Sequence, residues 1–562
     1  MLKIKKMLIK VVEWSNHRVT QDWVGASFYL ERDNWNDYSY NTLYHLHLSR
    51  EYAKDNVSIY MGSVKILKKG QTTDDYLQLA IGPLEKLDGS FCSLGQSLDY
   101  YERIAELDRP LGDKILNALR DIVIFPNFSK GFEDEDGWSK SLFRWIQKDD
   151  DIFFLAPLLI SRDYHKIPSL ELIFDFKVSG LEKPVTFDFD SPKYGNEDKT
   201  LPNRVVVLIG RNGSGKSTFL SKISRIAFAS TSDRKNKTLL QVGQLTPNGL
   251  GFPKIISLSY SSFDSFQVPG IYLKEKEQIA KDIQRGVGRY VFCGIRDVAK
   301  ELIESFDELE IDKEGKLSDQ DILKDRLKNT FLKPIEVLAK EFSDSIKKIG
   351  EKKKWPLFNI ANTILSEEPS LRQILDIDFF EMTEKEKIEY FIHLSTGHKF
   401  ILHSIVKIVE HIEPRTLILF DEPETHLHPP LLAVLMRAIR NILNQKNGFM
   451  IVATHSPVIL QETLTKHVFI IRREGESISV MSPEIPTFGE NIGMLTSHVF
   501  GLSSDITDFH SELDSIISYY VNVRRFVDKE NAYKKIQDLF KDELSSQARA
   551  YILSNIFDRQ DN

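Results

Sequence analysis

Gly210-Arg-Asn-Gly-Ser-Gly-Lys-Ser217 follows the apolar run Val205-Val-Val-Leu-Ile209 and leads into Thr218-Phe-Leu-Ser-Lys-Ile223. The octet fits G-x-x-x-x-G-K-S/T, and its flanks predict a buried strand, a tight loop and a helix. Glycines at 210, 213 and 215 let backbone N–H groups wrap a phosphate chain, and the helix N-terminus adds partial positive charge. Lys216 is then expected to neutralise the β- and γ-phosphates, and Ser217 to ligate Mg²⁺. Gly210, Asn212, Gly213, Gly215, Lys216, Ser217 and Thr218 make up the expected ATP-binding set.

Working outward, Thr416-Leu-Ile-Leu-Phe420 predicts a second buried strand, closed by Asp421 and Glu422. Acids at the C-terminal end of a strand stand where open α/β sheets bind nucleotides. Asp421 suits Mg²⁺, and Glu422, next in the turn, suits the water that attacks the γ-phosphate. The alternative for Glu422, a solvated surface acid, leaves an acid pair at the end of an Ile/Leu strand unexplained. Two further stretches complete the pattern: Leu394-Ser-Thr-Gly-His398, and Ala453-Thr-His455-Ser-Pro457 at the end of the strand-like run Phe449-Met-Ile-Val452.

The order phosphate loop, Leu394–His398, Asp421-Glu-Pro-Glu-Thr-His-Leu-His-Pro429 and Thr454-His-Ser-Pro457 resembles ABC-type ATPases of the DNA-repair and phage-defence branch, over about residues 170–500. The resemblance implies a homodimer paired head to tail, in which ATP on one phosphate loop is closed over by Ser395 and Gly397 of the other copy. It implies that His455 contacts the γ-phosphate and that Pro423 to His428 lie between the two sites. The family's glutamine loop has no clean counterpart, because the chain reads Ser261-Ser-Phe-Asp-Ser-Phe-Gln267; Asp264 and Gln267 are the candidates. Asp33-Asn-Trp-Asn-Asp-Tyr-Ser-Tyr-Asn-Thr42 and Ser93 to Ile104 resemble the leading domain of PtuA-type ATPases of Septu and retron-associated antiphage systems. That likeness implies an HNH-type nuclease partner and, in the retron form, a reverse transcriptase with its multicopy single-stranded DNA. The job expected is to sense infection and restrain or license the nuclease.

The rest of the chain predicts an α/β protein: an ABC-ATPase-like mixed sheet, a helical insertion and an N-terminal α+β domain. Alternation at Tyr38, Tyr40, Thr42, Tyr44, Leu46 and Leu48 predicts a half-buried strand, Val57 to Leu67 another, and Asp99 to Ile122 a helical stretch; 1–165 is the leading domain. Paired strands are expected in Leu170–Gly180 and Pro184–Asp190. The ATPase core takes 166–269 and 391–500, the helical insertion 270–390, and a helical tail 501–562. Ile335, Leu338, Phe342, Ile346 and Ile349 fall on one helical face, between Pro334 and Pro356, too briefly for a coiled-coil arm.

With 562 residues, 41% hydrophobic and 28% charged, the chain has enough material for several cores. A net charge of −7 excludes a globally basic nucleic-acid binder while leaving room for a local basic surface. Cys92 and Cys293, the two cysteines, support neither a disulfide framework nor a zinc site and suit a reducing cytoplasm. The basic start is expected to be a strand rather than a secretory signal, and no run is long enough to span a membrane. His426 and His428 lack a third ligand and are expected at the dimer interface. Glu310, Asp312, Glu314, Gly315 and Asp321 have calcium-loop spacing without its opening Asp or closing Glu, which favours a solvated turn. The competing functions are a DNA-clamping ATPase of repair or recombination, whose turnover DNA would stimulate, and a transporter cassette with a separate membrane subunit.

Overall fold

The structure, a computed structural model, describes residues 7–14, 24–34, 37, 39–72, 79–164, 172–190, 193–194, 199–262, 264–313, 315–475, 477–500, 508–520, 529–541 and 543–557. A seven-stranded sheet organises the part of the chain that carries the phosphate-loop motif. Its strands, in spatial order, are Tyr290–Gly294, Ile255–Ser259, Leu417–Asp421, Phe449–Thr454, Val205–Ile209, Val468–Glu474 and Ser477–Met481. The first six are parallel and the last returns antiparallel.

All five residues of Val205–Ile209 are buried, as a parallel strand covered on both faces requires. Val205, Val207 and Ile209 enter the core on one face, Val206 and Leu208 the core on the other. Register aligns the strand ends that matter: Ser259 lies opposite Asp421, Asp421 opposite Ala453, and Ile209 opposite Thr454. Every candidate acid, hydroxyl or histidine in a loop just past these strands is therefore delivered to one edge of the sheet.

A small antiparallel sheet of Ile173–Lys177, Val185–Asp188 and Gln244–Thr246 covers the phosphate-loop helix Lys216–Phe228. Phe176 meets Phe219 edge-on, with ring centroids 5.3 Å apart. The opposite face is closed by helices, among them Ile335–Glu351, Trp355–Leu365 and Thr396–His411. Phe342, Ile346 and Ile349 are fully buried on the predicted stripe, while Ile335 and Leu338 are partly buried at its end.

One expectation needs correction. Residues 270–390 are not purely helical: Tyr290–Gly294 is the edge strand of the central sheet, with all five residues buried. A five-residue apolar run between the helices Leu273–Arg285 and Val298–Ser305 has too little length to separate strand from helix by periodicity. Between 295 and 390 the described elements are helices.

The leading domain has a six-stranded sheet in the order Gly82–Leu84, Ile9–Val12, Phe28–Arg32, Leu43–Leu48, Ile59–Lys68, Phe91–Gly95. Tyr44, Leu46 and Leu48 are buried as the alternation requires, whereas Tyr38 lies outside the described residues. Charged side chains tie this domain to the core: Arg289 to Asp99 at 3.0 Å, Arg415 to Asp151 at 2.7 Å, Lys274 to Glu31 at 2.7 Å and Arg103 to Asp282 at 3.3 Å. Buried pairs of this kind add little net stability but penalise any rearrangement that parts them. At the other end, the described tail helices Asp508–Ser518, Lys529–Leu539 and Ser546–Phe557 share a small core of their own around Ile517, Ile536 and Ile552.

Candidate nucleotide site

The loop after Val205–Ile209 is built for close approach. A Cβ at Gly210 would lie 2.3 Å from the carbonyl oxygen of Ile471, so the neighbouring strand leaves no room for a side chain. Gly213 and Gly215 have φ of 79° and 96°, in the left-handed region that glycine enters without strain. Lys216, 4% exposed, folds back over the loop and donates to the carbonyls of Gly210 and Arg211 at 3.1 and 3.3 Å. Its burial lowers its pKa, so a partner of opposite charge is favoured there. Ser214 Oγ is buried with no hydrogen-bond partner among the described residues, an acceptor or donor held in reserve at the centre of the loop.

Across the sheet edge, the acids and the histidine meet this loop. Ser217 Oγ donates to Asp421 Oδ1 at 2.9 Å. Lys216 Nζ and His455 Nε2 are 2.7 Å apart, and Glu422 Oε1 is 3.7 Å from the same nitrogen. Burial, with Lys216 close by, lowers His455 to about 4, so near neutrality its imidazole is uncharged and Nε2 accepts from the lysine. Burial also pushes Asp421 up to about 8, against the hydrogen bond from Ser217 and with repulsion from Asp264 and Glu422. A carboxyl so placed gives up its proton to solvent more readily when a cation takes the proton's place. Ser217, Asp421 and the lysine-capped loop therefore fit a magnesium-bound triphosphate: hard oxygen donors on one side, N–H groups and an ammonium on the other.

Glu422 has φ 47°, the left-handed region, and its N–H donates to Ala453 at 2.8 Å. The turn thus points away from the strand axis immediately after Asp421. Two residues on, Glu424 does what the sequence did not announce: Thr454 Oγ1 donates to its Oε2 at 2.8 Å, and the His455 N–H donates to its Oε1. The acid loop and the histidine strand end are cross-linked by one carboxylate. The adjacency of Glu424 to the acid pair was the available signal, but its partner lies thirty residues away and only the sheet brings it close.

Ser395 is exposed and caps the helix Thr396–His411, accepting from the His398 N–H at 3.4 Å. Gly397 packs on the loop after the acids, where a Cβ would stand 3.1 Å from the His426 carbonyl oxygen. These two candidates thus join the Pro423–His428 loop on the surface rather than the lysine cluster. His426 and His428 are exposed beside them. Both glutamine-loop candidates, Asp264 and Gln267, line a small cavity with Ser217 and Asp421, and the Gln267 side chain also accepts from Lys276 at 3.1 Å. In the calcium-like turn, Asp321 accepts from the Glu310 N–H and Ser318 Oγ and pairs with Lys324, so protein groups already organise that carboxylate; Glu314 is outside the described residues. A cavity of about 610 Å³ flanks the phosphate loop, lined by Arg211, Arg472 and Arg473 and by no aromatic ring. No helix of the described residues is long and apolar enough to cross a membrane.

Residues 280–461 match the family profile described as "AAA domain, putative AbiEii toxin, Type IV TA system". Protein ea59 of Escherichia phage lambda is 28% identical over 545 residues, covering 95% of each chain. Among solved structures, the chain is similar to the ADP conformation of MJ1267, an ATP-binding cassette of an ABC transporter (14% identity, 58% of this chain and 95% of that one, TM-score 0.26). It is also similar to an SmcHead bound to the C-winged helix domain of ScpA (12% identity, 55% and 96%, TM-score 0.25). The family match falls on the strands that carry the acids and the histidine, and the lysine loop completes the same site from outside the matched region, so that the chain carries the site of a P-loop ATPase.

Proposed function

We propose that this ATPase is the nucleotide-driven subunit of an antiphage defence complex, an ATP-closed head-to-tail homodimer that senses infection and restrains or licenses a partner nuclease of HNH type, as in Septu or retron systems. The observation that carries the dimer is the separation just described. Lys216, Ser217, Asp421, Glu422 and His455 converge within one copy, whereas Ser395 and Gly397 stand on the surface with the Pro423–His428 loop. A second copy, turned head to tail, would bring its exposed helix N-terminus at Ser395 to the γ-phosphate end of the first, where backbone N–H groups favour anions.

In that closed pair Lys216 holds the phosphates and Glu422 accepts a hydrogen bond from the attacking water. The water oxygen bonds to the γ-phosphorus as the bridge to ADP breaks, and His455 stays neutral to hold the γ-phosphate without adding charge. Ser217 and Asp421 would hold a magnesium ion, which would supply charge screening for the phosphates. Loss of the γ-phosphate removes what both copies share, so the pair opens and the leading domain, ion-paired to the core, carries the change outward.

The defence role is supported by the phage origin of the 28% relative and by the toxin–antitoxin description of the matching family profile. Purifying the chain with its native neighbours, untagged, is the test: a co-purifying nuclease that is silent with ATP-bound chain and active without it is the expected result. A nuclease equally silent when the chain is absent sinks the restraining role.

A further inference from the structure

A cavity of about 290 Å³, lined by none of the nucleotide-site residues, lies between the leading domain and the core. The leading domain lines it with Trp14, Leu43, Tyr60 and Trp145. The core lines it with Phe228 and Asp233, around the end of the phosphate-loop helix, and with Tyr272 and Glu275, at the start of the helix Leu273–Arg285. The space is far larger than one ion or water needs and close to that of small-molecule pockets, which are likewise mostly apolar and aromatic with a few convergent polar groups.

Those polar groups are unevenly satisfied. The cations on the lining are engaged: Lys65 pairs with Asp37, Arg103 with Asp282 and Lys274 with Glu31, all acids outside the cavity, and Lys235 donates to the Trp145 carbonyl at 3.2 Å. The acids on the core side are not. Glu275 Oε2 accepts from the N–H groups of Ile271 and Tyr272 at 3.1 and 3.4 Å, but Oε1 has no hydrogen-bond partner and the carboxyl no ion pair among the described residues. Asp233 accepts from Ser230 Oγ and also has no ion pair among them. Burial, with repulsion from Asp233 and Asp99, pushes Glu275 up to about 8, and burial raises Asp233 as well. Gln96, 8% exposed on the leading-domain side, donates through Nε2 to the Leu94 carbonyl at 2.9 Å, which leaves its Oε1 without a partner among the described residues. Three acceptors therefore share an aromatic-walled space with no donor assigned to them.

We propose that this cavity binds a small organic cation, an alkyl amine or guanidinium compound, whose nitrogens donate to Glu275, Asp233 and Gln96 while its carbon chain lies against Trp14, Tyr60 and Trp145. An ammonium or guanidinium group supplies donors and positive charge together, and aromatic walls favour a cation over a neutral chain of the same shape. A bare metal ion would leave most of the volume and all of the aromatic surface unused. Occupancy bridges the leading domain to the segment just past the phosphate-loop helix.

The test is isothermal titration of the nucleotide-free chain with cadaverine, with agmatine and with pentanediol, the neutral counterpart of cadaverine. Wild type is compared with Glu275→Gln and Asp233→Asn, whose amide oxygens can still accept the bonds from Ile271, Tyr272 and Ser230; melting checks that each is folded. Saturable binding of a cation by wild type, weakened at least about tenfold in each variant, and no binding of pentanediol is the expected result. The tighter of the two cations identifies the head group as amine or guanidinium. Failure of wild type to bind either cation saturably overturns the proposal, as does undiminished binding in either folded variant. Pentanediol binding as tightly as cadaverine also overturns it, and that comparison needs no variant.

Discussion

The lysine cluster and the Ser395 surface are built in opposite ways. Around Lys216, groups from three strand ends and one helix are drawn together, the lysine buried and its neighbours half-buried, and burial first of all raises the pKa of Asp421 and lowers that of His455. Around Ser395 the side chains are exposed, the helix cap is ordinary, and the contacts are with the chain's own acid loop. The first region is complete in one copy and the second is complementary to something it does not touch. Under the proposed head-to-tail pairing, turnover would be conditional on association, which a self-sufficient ATPase would not require.

The largest effects test the first region. Lys216→Ala should abolish nucleotide binding, and Glu422→Gln should retain ATP while turnover falls about 10²- to 10⁴-fold; sedimentation with ATP should show the latter trapped as a pair. Turnover undiminished in Glu422→Gln would remove that residue from its role. The contrast between regions is tested by mixing two dead variants. Ser395→Arg alone should bind ATP normally and hydrolyse it poorly, yet an equal mixture with Lys216→Ala should recover roughly a quarter of wild-type turnover, because half the pairs carry one intact composite site. No recovery on mixing would mean that the serine acts within its own copy or elsewhere.

Smaller changes sharpen the first region. Glu424→Gln should keep ATP affinity and lose about tenfold in turnover, since its carboxylate holds the His455 backbone without facing substrate. A full-speed variant would make the cross-link merely structural. The smallest effect is a pH signature of Asp421. Its folded pKa is raised to about 8 from 3.8, so as pH rises through that window the unfolded chain loses the proton before the folded one does, and stability falls. The melting temperature of the nucleotide-free chain should therefore decline from pH 5 to 8 more in wild type than in Asp421→Asn, and magnesium with ATP should reverse the difference. Parallel pH profiles would mean that Asp421 is ionised throughout.

Much of the first region was legible because its chemistry is local. The glycine spacing, Lys216 and Ser217 lie within one octet, and Asp421, Glu422 and His455 each close an apolar run that predicts a strand. What escaped depends on register. Glu424 reaches Thr454 and His455 only because their strands are neighbours, and Asp264 reaches the small cavity beside Asp421 only because Ser259 pairs with Asp421. The edge strand Tyr290–Gly294 escaped for another reason: five buried apolar residues flanked by helices satisfy either period.

The backbone of Glu422 carries a record of selection. A non-glycine residue at φ 47° costs on the order of 1 kcal/mol, and glycine or asparagine would occupy that turn more comfortably. A screen for thermal robustness at this position would thus drift toward residues that cannot polarise water, and the drift would look like improvement until turnover was measured.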